Sequence, residues 1–277
     1  MTSGSIVLYK SDIPMVSEVI HSFFRGDLDK ERKLFLVDNS PTDELIKLKE
    51  LYPEQTEYIF CKANLGYGAA HNIAIKKSIK MGYKYHVVLN PDLSFGSDTI
   101  VELERFMDAN EDVGQCMPDI RNMDDGSRRN CCKLLPTPAN GIFRRFLGNT
   151  RFARNIDEKY MLKHADYSKV LDIPYLSGCF MFFRVDALQD IGLFDEKIFM
   201  YYEDTDISRR MYTKKRACYV PITQVRHLAD RASYKSLKML LITIKSAIYY
   251  FNKYGWFFDK ERRLINSMVL AKTKKCK

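Results

Sequence analysis

NLGYGAAHNIAIKKSIKMGYKYHVVLNPD, residues 64–92, is the stretch on which the fold turns. Gly66 and Gly68 mark a loop, and the run after them reads as a helix that stops at Gly82. YHVVLNPD then reads as a short buried strand that ends abruptly in Asn-Pro-Asp. Three more strand signals precede it. SIVLYK is an apolar run with Ile6, Val7 and Leu8, KLFLVDNS is a second run into a turn, and TEYIFCK is a third. Between the first two lie Ile13, Val16, Val19, Ile20, Phe23 and Phe24 at helical spacing over residues 12–24. Residues 42–51 read as a further helix, capped by Thr42 or Ser40. This β-α-β-α-β-α-β order implies a parallel sheet with helices on both faces.

Beyond residue 110 the pattern loosens. Residues 110–170 hold Pro118, Pro136 and Pro138 and a basic cluster of Arg128, Arg129, Lys133, Arg144, Arg145, Arg151 and Arg154. They are expected to form loops and short helices over the active edge of the sheet. YLSGCFMFFRVDAL reads as a strand leading into a short helix, and residues 234–258 read as an aromatic, basic helical segment.

Composition narrows the function classes. With 46% hydrophobic and 29% charged residues, the 277-residue chain can bury a large core and reads as soluble. No run approaches the roughly 20 apolar residues of a spanning helix, and the first residues do not read as a signal peptide, so a cytoplasmic location is expected. The seven cysteines show no metal-site spacing and are expected to be free thiols. The net charge of +9 is confined to one end. Residues 235–277 hold eleven basic residues and two acids, Asp259 and Glu261, while residues 1–234 balance at 33 of each sign. A neutral body argues against a nucleic-acid-binding protein.

In open α/β sheets ligands bind beyond the carboxyl ends of the strands. Three polar groups lie there: Tyr9-Lys10-Ser11-Asp12, Asp38-Asn39-Ser40 and Asn90-Pro91-Asp92. Asp38 can accept from a base or ribose, or serve as a turn residue. Asp92 suits a hard divalent cation, or an Asx-Pro turn. The strongest local signal is Tyr202-Glu203-Asp204-Thr205-Asp206, three carboxylates with aromatics before them and Arg209 and Arg210 after. Acids there can serve a helix dipole, or one can act as a general base sheltered from water. His227 follows Tyr219 through Arg226, and a lone histidine is more often a packed or surface residue than a ligand; His71 and His86 have no forced role, and His164 lies in the irregular middle. A dinucleotide-binding Gly-x-Gly-x-x-Gly, a Walker lysine loop and a Gly-x-Ser-x-Gly elbow are all missing.

Taken in order, these segments resemble family 2 glycosyltransferases. Val37-Asp38-Asn39-Ser40, Asn64 through Asn72 and Leu89-Asn90-Pro91-Asp92 look like the donor half. Ser177-Gly178-Cys179-Phe180-Met181, Gly192-Leu193-Phe194-Asp195-Glu196 and Tyr202 through Asp206 look like the acceptor half. The Asn-Pro-Asp and Glu-Asp-Thr-Asp forms look most like the bacterial rhamnosyltransferase branch. The resemblance implies an α/β GT-A fold, Rossmann-like, with a mostly parallel sheet, helices on both faces and a C-terminal helical segment. It divides the chain into a GT-A catalytic domain over 1–230, with a nucleotide-sugar half of about 1–110 and an acceptor half of about 111–230, and a basic amphipathic tail over 231–277.

The resemblance also implies roles. Tyr9, Asp38, Asn64, Gly66, Asn72, Asn90, Ser177 and Gly178 would form the nucleotide-sugar site. Asp92 would be the metal-binding acid, with His227 as a further ligand for Mg²⁺ or Mn²⁺. Asp204 would be the catalytic base, with Glu203 beside it. Asn90 replaces the first aspartate of the family's Asp-x-Asp, and His227-Leu228-Ala229-Asp230 departs from the frequent His-x-x-Gly. The expected reaction is inverting transfer of a sugar, rhamnose by motif flavour, from a dTDP-, UDP- or GDP-linked donor to a hydroxyl of a growing, lipid-linked surface glycan. The alternative is a catalytically silent nucleotide-sugar or glycan-binding subunit. The tail, with Leu237, Leu240, Leu241, Ile244 and Ile248 at helical spacing among lysines, is expected to pack on the domain, to meet an anionic membrane surface as a peripheral protein, or both.

Overall fold

A computed structural model describes residues 1–26, 31–140, 151–228 and 237–273, with side chains of 151–154 left aside. Arg144, Arg145, Ala229, Asp230, Lys235, Lys274, Lys275 and Lys277, and the side chains of Arg151 and Arg154, therefore lie outside the described residues.

The amino-terminal half follows the alternating pattern. Strand β1 (Thr2–Leu8) leads to helix α1 (Ile13–Phe24), β2 (Arg32–Asp38), a 3₁₀ helix (Glu44–Leu51), β3 (Thr56–Phe60), helix α2 (Tyr67–Lys80) and β4 (Tyr85–Leu89). Asp12 caps α1, its carboxylate accepting from Met15 N. The segment over 42–51 departs from expectation. It is 3₁₀ rather than α, preceded by Asp43, and no side chain caps it. Ser40 is occupied elsewhere, its hydroxyl accepting from Lys10 N.

β1 pairs in parallel with β2 and β4, and β2 with β3. The strand order β3-β2-β1-β4 puts the chain's first strand inside the sheet. Gly4 allows α1 to lie close against it, since a Cβ there would stand 2.9 Å from the Phe23 ring. Ser3 and Ser5, on the other face of β1, bind the buried imidazoles of α2 and β4. Ser5 Oγ lies 2.7 Å from His71 Nδ1 and 2.9 Å from His86 Nε2, and Ser3 Oγ lies 2.7 Å from His86 Nδ1. Burial pushes His86 down to about 3 and lowers His71 as well, which keeps both rings uncharged.

The second half completes one nine-stranded sheet, in the order β3-β2-β1-β4-β10-β6-β11-β5, with β8 beside β11. Its elements are β5 (Leu93–Phe95), α3 (Thr99–Ala109), β6 (Val113–Asn122), β7 (Cys132–Lys133), α4 (Arg151–Tyr160), β8 (Leu171–Asp172), β9 (Tyr175–Leu176), β10 (Phe180–Arg184), α5 (Val185–Ile191), α6 (Glu203–Lys214), β11 (Arg216–His227), α7 (Leu237–Tyr254) and α8 (Lys260–Thr273). β10 runs antiparallel to both β4 and β6, so the sheet is parallel over its first four strands and mixed beyond them. The ten-residue β6 is the main departure in the region expected to be loops. Pro118 sits inside it, and its register with β11 breaks between Tyr219 and Gln224. Proline gives no ladder hydrogen bond, and the irregularity accommodates it.

Candidate active site at the open edge of the sheet

The carboxyl ends of β1, β2 and β4 open on the same edge. After β1, the Tyr9 ring is half exposed and Lys10 adopts a left-handed backbone (φ 52°). A cavity of about 670 Å³ lies between this turn and the 3₁₀ helix, lined by Lys10, Ser11, Ser40, Thr42, Glu44 and Lys47 among others. Asp38 does not itself line the cavity and is fully buried, bonded to the lining residue Ser40. Its Oδ1 accepts from Ser40 N at 2.7 Å and its Oδ2 from the Tyr58 hydroxyl at 2.5 Å. A ligand meeting this carboxylate must do so alongside those bonds or by displacing one.

The Asn64–Asn72 segment joins the two halves of the chain. Asn64 Oδ1 accepts from Gly66 N at 3.0 Å, and Asn39 Nδ2 donates to Gly66 O at 3.1 Å, which ties the loop to the end of β2. Gly66 has φ 90°, and a Cβ there would collide with the Phe199 carbonyl oxygen, so only glycine lets Tyr67 N donate to that oxygen at 2.9 Å. Asn72 is buried, and its amide pairs with the Phe194 backbone like a strand neighbour. Nδ2 donates to Phe194 O at 2.9 Å, and Phe194 N donates to Oδ1 at 3.0 Å. Any part that Asn72 takes in a pocket is through the 194–199 loop it holds.

Asn90 and Asp92 follow β4, and His227 ends β11. The His227 Nε2 lies 3.1 Å from Asp92 Oδ1 and 3.4 Å from Asn90 Nδ2. His227 is buried, and its Nδ1 has no hydrogen-bond partner among the described residues. One carboxylate and one imidazole from separate strands thus face each other. That donor set fits a divalent cation whose remaining positions are filled by diphosphate oxygens and water. Among the described residues there is no cluster of three or more His, Cys, Asp or Glu side chains suited to a metal. Among the described residues, the protein side of such a site would be Asp92 and His227.

The other candidate acids lie at the start of α6. Tyr201 and Tyr202 are both left-handed (φ 65° and 71°), a conformation costing on the order of 1 kcal/mol or more for each non-glycine residue. This tight entry separates the three carboxylates, which then point in different directions around the helix. Asp204 turns to the open edge. Its Oδ2 accepts from Gly178 N at 2.9 Å and from the Tyr175 hydroxyl at 3.3 Å, and its Oδ1 accepts from Thr205 N at 2.7 Å. Glu203 turns inward and is buried, and its Oε2 has no hydrogen-bond partner among the described residues. Burial, and then the charge of Asp204, push the Glu203 carboxyl well above the usual range. Asp206 turns to the back of the helix, where Lys253 Nζ, the Tyr254 hydroxyl and Arg210 Nε donate to it at 2.7, 2.8 and 2.9 Å. Arg209 and Arg210 also face away from the open edge. Arg209 binds Asp259 and Glu261, and Arg210 donates to the carbonyls of Ile191, Gly192 and Leu193.

Residues 177–179 connect the two sets of acids. Gly178 touches Asp204, and Asn90 N donates to Cys179 O at 2.9 Å. The hydrogen bond with Cys131, and then burial, raise the Cys179 thiol, with the Asp92 charge a smaller contribution in the same direction. Tyr67 closes the connection, its hydroxyl donating to Gly178 O at 2.7 Å, with Asn90 Oδ1 3.0 Å away as the alternative acceptor. Burial raises that phenol far above its ordinary value, so it remains a donor. The structure thus gathers Asn90, Asp92, Ser177, Gly178, Asp204 and His227 around one short loop. It leaves Tyr9 and Asp38 beside the cavity to one side, and Asn64, Gly66 and Asn72 in supporting positions.

Sequence reasoning missed Tyr58, Tyr67, Tyr175 and Lys133. Lys133 Nζ lies 3.4 Å from the Tyr175 hydroxyl, behind Asp204. Tyr67 stood inside the quoted glycine segment, where its place between two glycines was the available signal. Lys133 stood in the basic cluster expected over the active edge, with nothing to single it out, and Tyr58 and Tyr175 carried no signal because their partners are distant in sequence.

Comparison with known proteins identifies the family and the fold. Residues 5–192 match the family model described as Glycosyl transferase family 2. Two Mycobacterium tuberculosis proteins named N-acetylglucosaminyl-diphospho-decaprenol L-rhamnosyltransferase are each 28% identical over 204 residues. That alignment covers 70% of this chain, and the chain spans 66%, just under two thirds, of these relatives' length. Among solved structures, S. aureus TarS 1–349 in complex with UDP-GlcNAc superposes with a TM-score of 0.61 at 14% identity, over 97% of this chain and 71% of that one. GalNAc-T7 with UDP, GalNAc and Mn²⁺ superposes with a TM-score of 0.61 at 15% identity, over 82% of this chain and 43% of that one. These likenesses establish the GT-A fold.

Proposed function

The chain belongs to glycosyl transferase family 2, and on that premise we propose that it transfers a sugar from a nucleotide diphosphate donor to an acceptor hydroxyl, with inversion at the anomeric carbon. One observation carries the reading: Asp92 with His227, and Asp204, border the same loop at residues 177–179. The nucleotide occupies the edge beside Tyr9 and the cavity before Asp38, and the sugar lies over Ser177 and Gly178. Asp92 and His227 hold Mg²⁺ or Mn²⁺, which when bound neutralises charge on the diphosphate. Asp204 takes the proton of the attacking hydroxyl. Its carboxylate is aimed by Gly178 N and Thr205 N, so little reorganisation is needed when the acceptor arrives. Burial, and then the Asp204 charge, push the Glu203 carboxyl upward, which favours its protonated form and leaves Asp204 as the better-placed base.

Rhamnose is the donor sugar we favour and a lipid-linked saccharide the acceptor, because the relatives from M. tuberculosis carry both in their name. We place the chain in the cytoplasm at the inner face of the plasma membrane, where a nucleotide sugar and a lipid-linked acceptor meet. Thermal-shift and turnover measurements with dTDP-rhamnose, UDP-GlcNAc and a GDP-sugar, each with and without Mn²⁺, test the proposal. Metal-dependent stabilisation by one donor together with release of its nucleoside diphosphate is the expected result. Donor binding with no turnover on any acceptor would instead make the chain a nucleotide-sugar-binding subunit.

A further inference from the structure

Helix α7 docks one face on the domain and leaves the opposite face bare. On the docked side, Ser246 Oγ donates to Met200 O at 2.8 Å, Tyr250 packs on Tyr202 with ring centroids 5.3 Å apart, and Lys253 and Tyr254 hold Asp206. On the other side, Leu237, Leu241, Ile244 and Ile248 are 80%, 66%, 45% and 44% exposed. Spacings of four, three and four residues put them on one line along about 16 Å of helix. Lys238 and Lys245 border that line about a quarter-turn away and are exposed.

The charge around the stripe has one sign. Asp259 and Glu261 are the only acids in residues 235–277, and both are engaged by Arg209. Lys253 and Lys272 are matched by acids of the domain, whereas Lys238 and Lys245 form no ion pair among the described residues. A second copy of the same face would bring these cations against their own kind. No helix among the described residues is long and apolar enough to cross a membrane.

We propose that this stripe is a docking surface for an anionic lipid bilayer. The four aliphatic side chains enter the boundary between headgroups and acyl chains, and Lys238 and Lys245 extend to the lipid phosphates. The proposal deepens the reading of a lipid-linked acceptor, on which its purpose rests. The docked face of α7 contacts Met200 and Tyr202, immediately before Glu203 and Asp204, so the surface lies about one helix diameter, ~10 Å, behind the loop that presents the candidate base.

Co-sedimentation of the full chain with phosphatidylcholine vesicles, with and without phosphatidylglycerol, tests this at low and high salt. The wild type should bind the anionic vesicles and lose binding as salt rises. Leu241→Gln/Ile244→Gln/Ile248→Gln should lower partitioning about tenfold or more while keeping the melting temperature. Lys238→Ala/Lys245→Ala should lower it roughly fivefold per lysine, at low salt only. Undiminished binding by the triple variant, or binding indifferent to phosphatidylglycerol, overturns the proposal. So does a triple variant that changes only from dimer to monomer on gel filtration, which would make the stripe a contact between copies. Turnover of a soluble donor and acceptor by the triple variant tests the transferase reading separately, since the stripe touches no candidate site residue.

Discussion

The backbone N–H of Gly178 donates to Asp204 Oδ2 at 2.9 Å, joining the loop before β10 to the first turn of α6, 26 residues on. A Cβ on Gly178 would stand 3.2 Å from the Asp204 Cβ, so loop and acid are already in close contact. Gly178→Ala should therefore keep the fold, displace the carboxylate by a few tenths of an ångström and lower kcat by about tenfold to a hundredfold. Asp204→Asn should lower kcat by roughly a hundredfold to ten-thousandfold while leaving donor affinity near that of the wild type. Steady-state kinetics with calorimetric donor binding separates the two effects. Loss of donor binding in Asp204→Asn would move that residue from base to binding group.

Glu203 and Asp204 should respond differently to amide substitution. Because burial raises the Glu203 carboxyl, the folded chain holds a proton that the unfolded chain releases above about pH 4.3. Folding stability from this group therefore falls as pH rises above that value. Glu203→Gln removes the dependence. Its melting temperature relative to wild type should climb from pH 4 to pH 8, and it should retain far more activity than Asp204→Asn. A difference that stays flat with pH would mean that Glu203 is ionised in the fold.

The metal reading separates Asp92 and His227 from Asp204. Mn²⁺ with a nucleoside diphosphate should raise the melting temperature of the wild type and of Asp204→Asn. Asp92→Ala should abolish that rise, and His227→Ala should reduce it. Nucleotide-dependent stabilisation that survives in Asp92→Ala would assign the cation to other groups.

Arg209 and Asp259 form a buried two-pronged pair, with Nη1–Oδ2 at 2.6 Å and Nη2–Oδ1 at 2.9 Å. Asp259→Ala leaves the Arg209 charge with Glu261 alone and should cost about 3–5 kcal/mol, read as a lower urea midpoint at unchanged slope. Replacing both members with apolar residues should cost less. Burial raises the Asp259 carboxyl, but the hydrogen bonds from Arg209 and the Arg262 backbone, together with the charges of both arginines, outweigh it and the net shift is downward. This contribution is therefore present above about pH 4 and lost as pH falls through the lowered folded value.

Much of the fold could be read locally. β1 to β4 and α1 to α2 appear in order because apolar periodicity and strand-end turns are properties of neighbouring residues. The acids at the strand ends, Asp38 and Asp92, were visible for the same reason. β6 was not, because prolines and a broken register hide a strand whose pairing is made with β10 and β11, more than sixty residues later.

What the sequence by itself determined is the alternation of strands and helices, the position of polar residues at strand ends, and the concentration of positive charge in the tail. The resemblance singled out Asp204 among three neighbouring acids, and only the tertiary structure gave each of them its own environment. Glu203, Asp204 and Asp206 share a composition and a turn of helix, but one is buried, one meets Gly178 and one is held by Lys253 and Tyr254. It also decided that α7 docks through Tyr250 and Phe251 and leaves Leu237, Leu241, Ile244 and Ile248 outside. The reason is that periodicity records the faces a helix has, whereas the face that is buried depends on the free energy of contacts with residues far away in the chain.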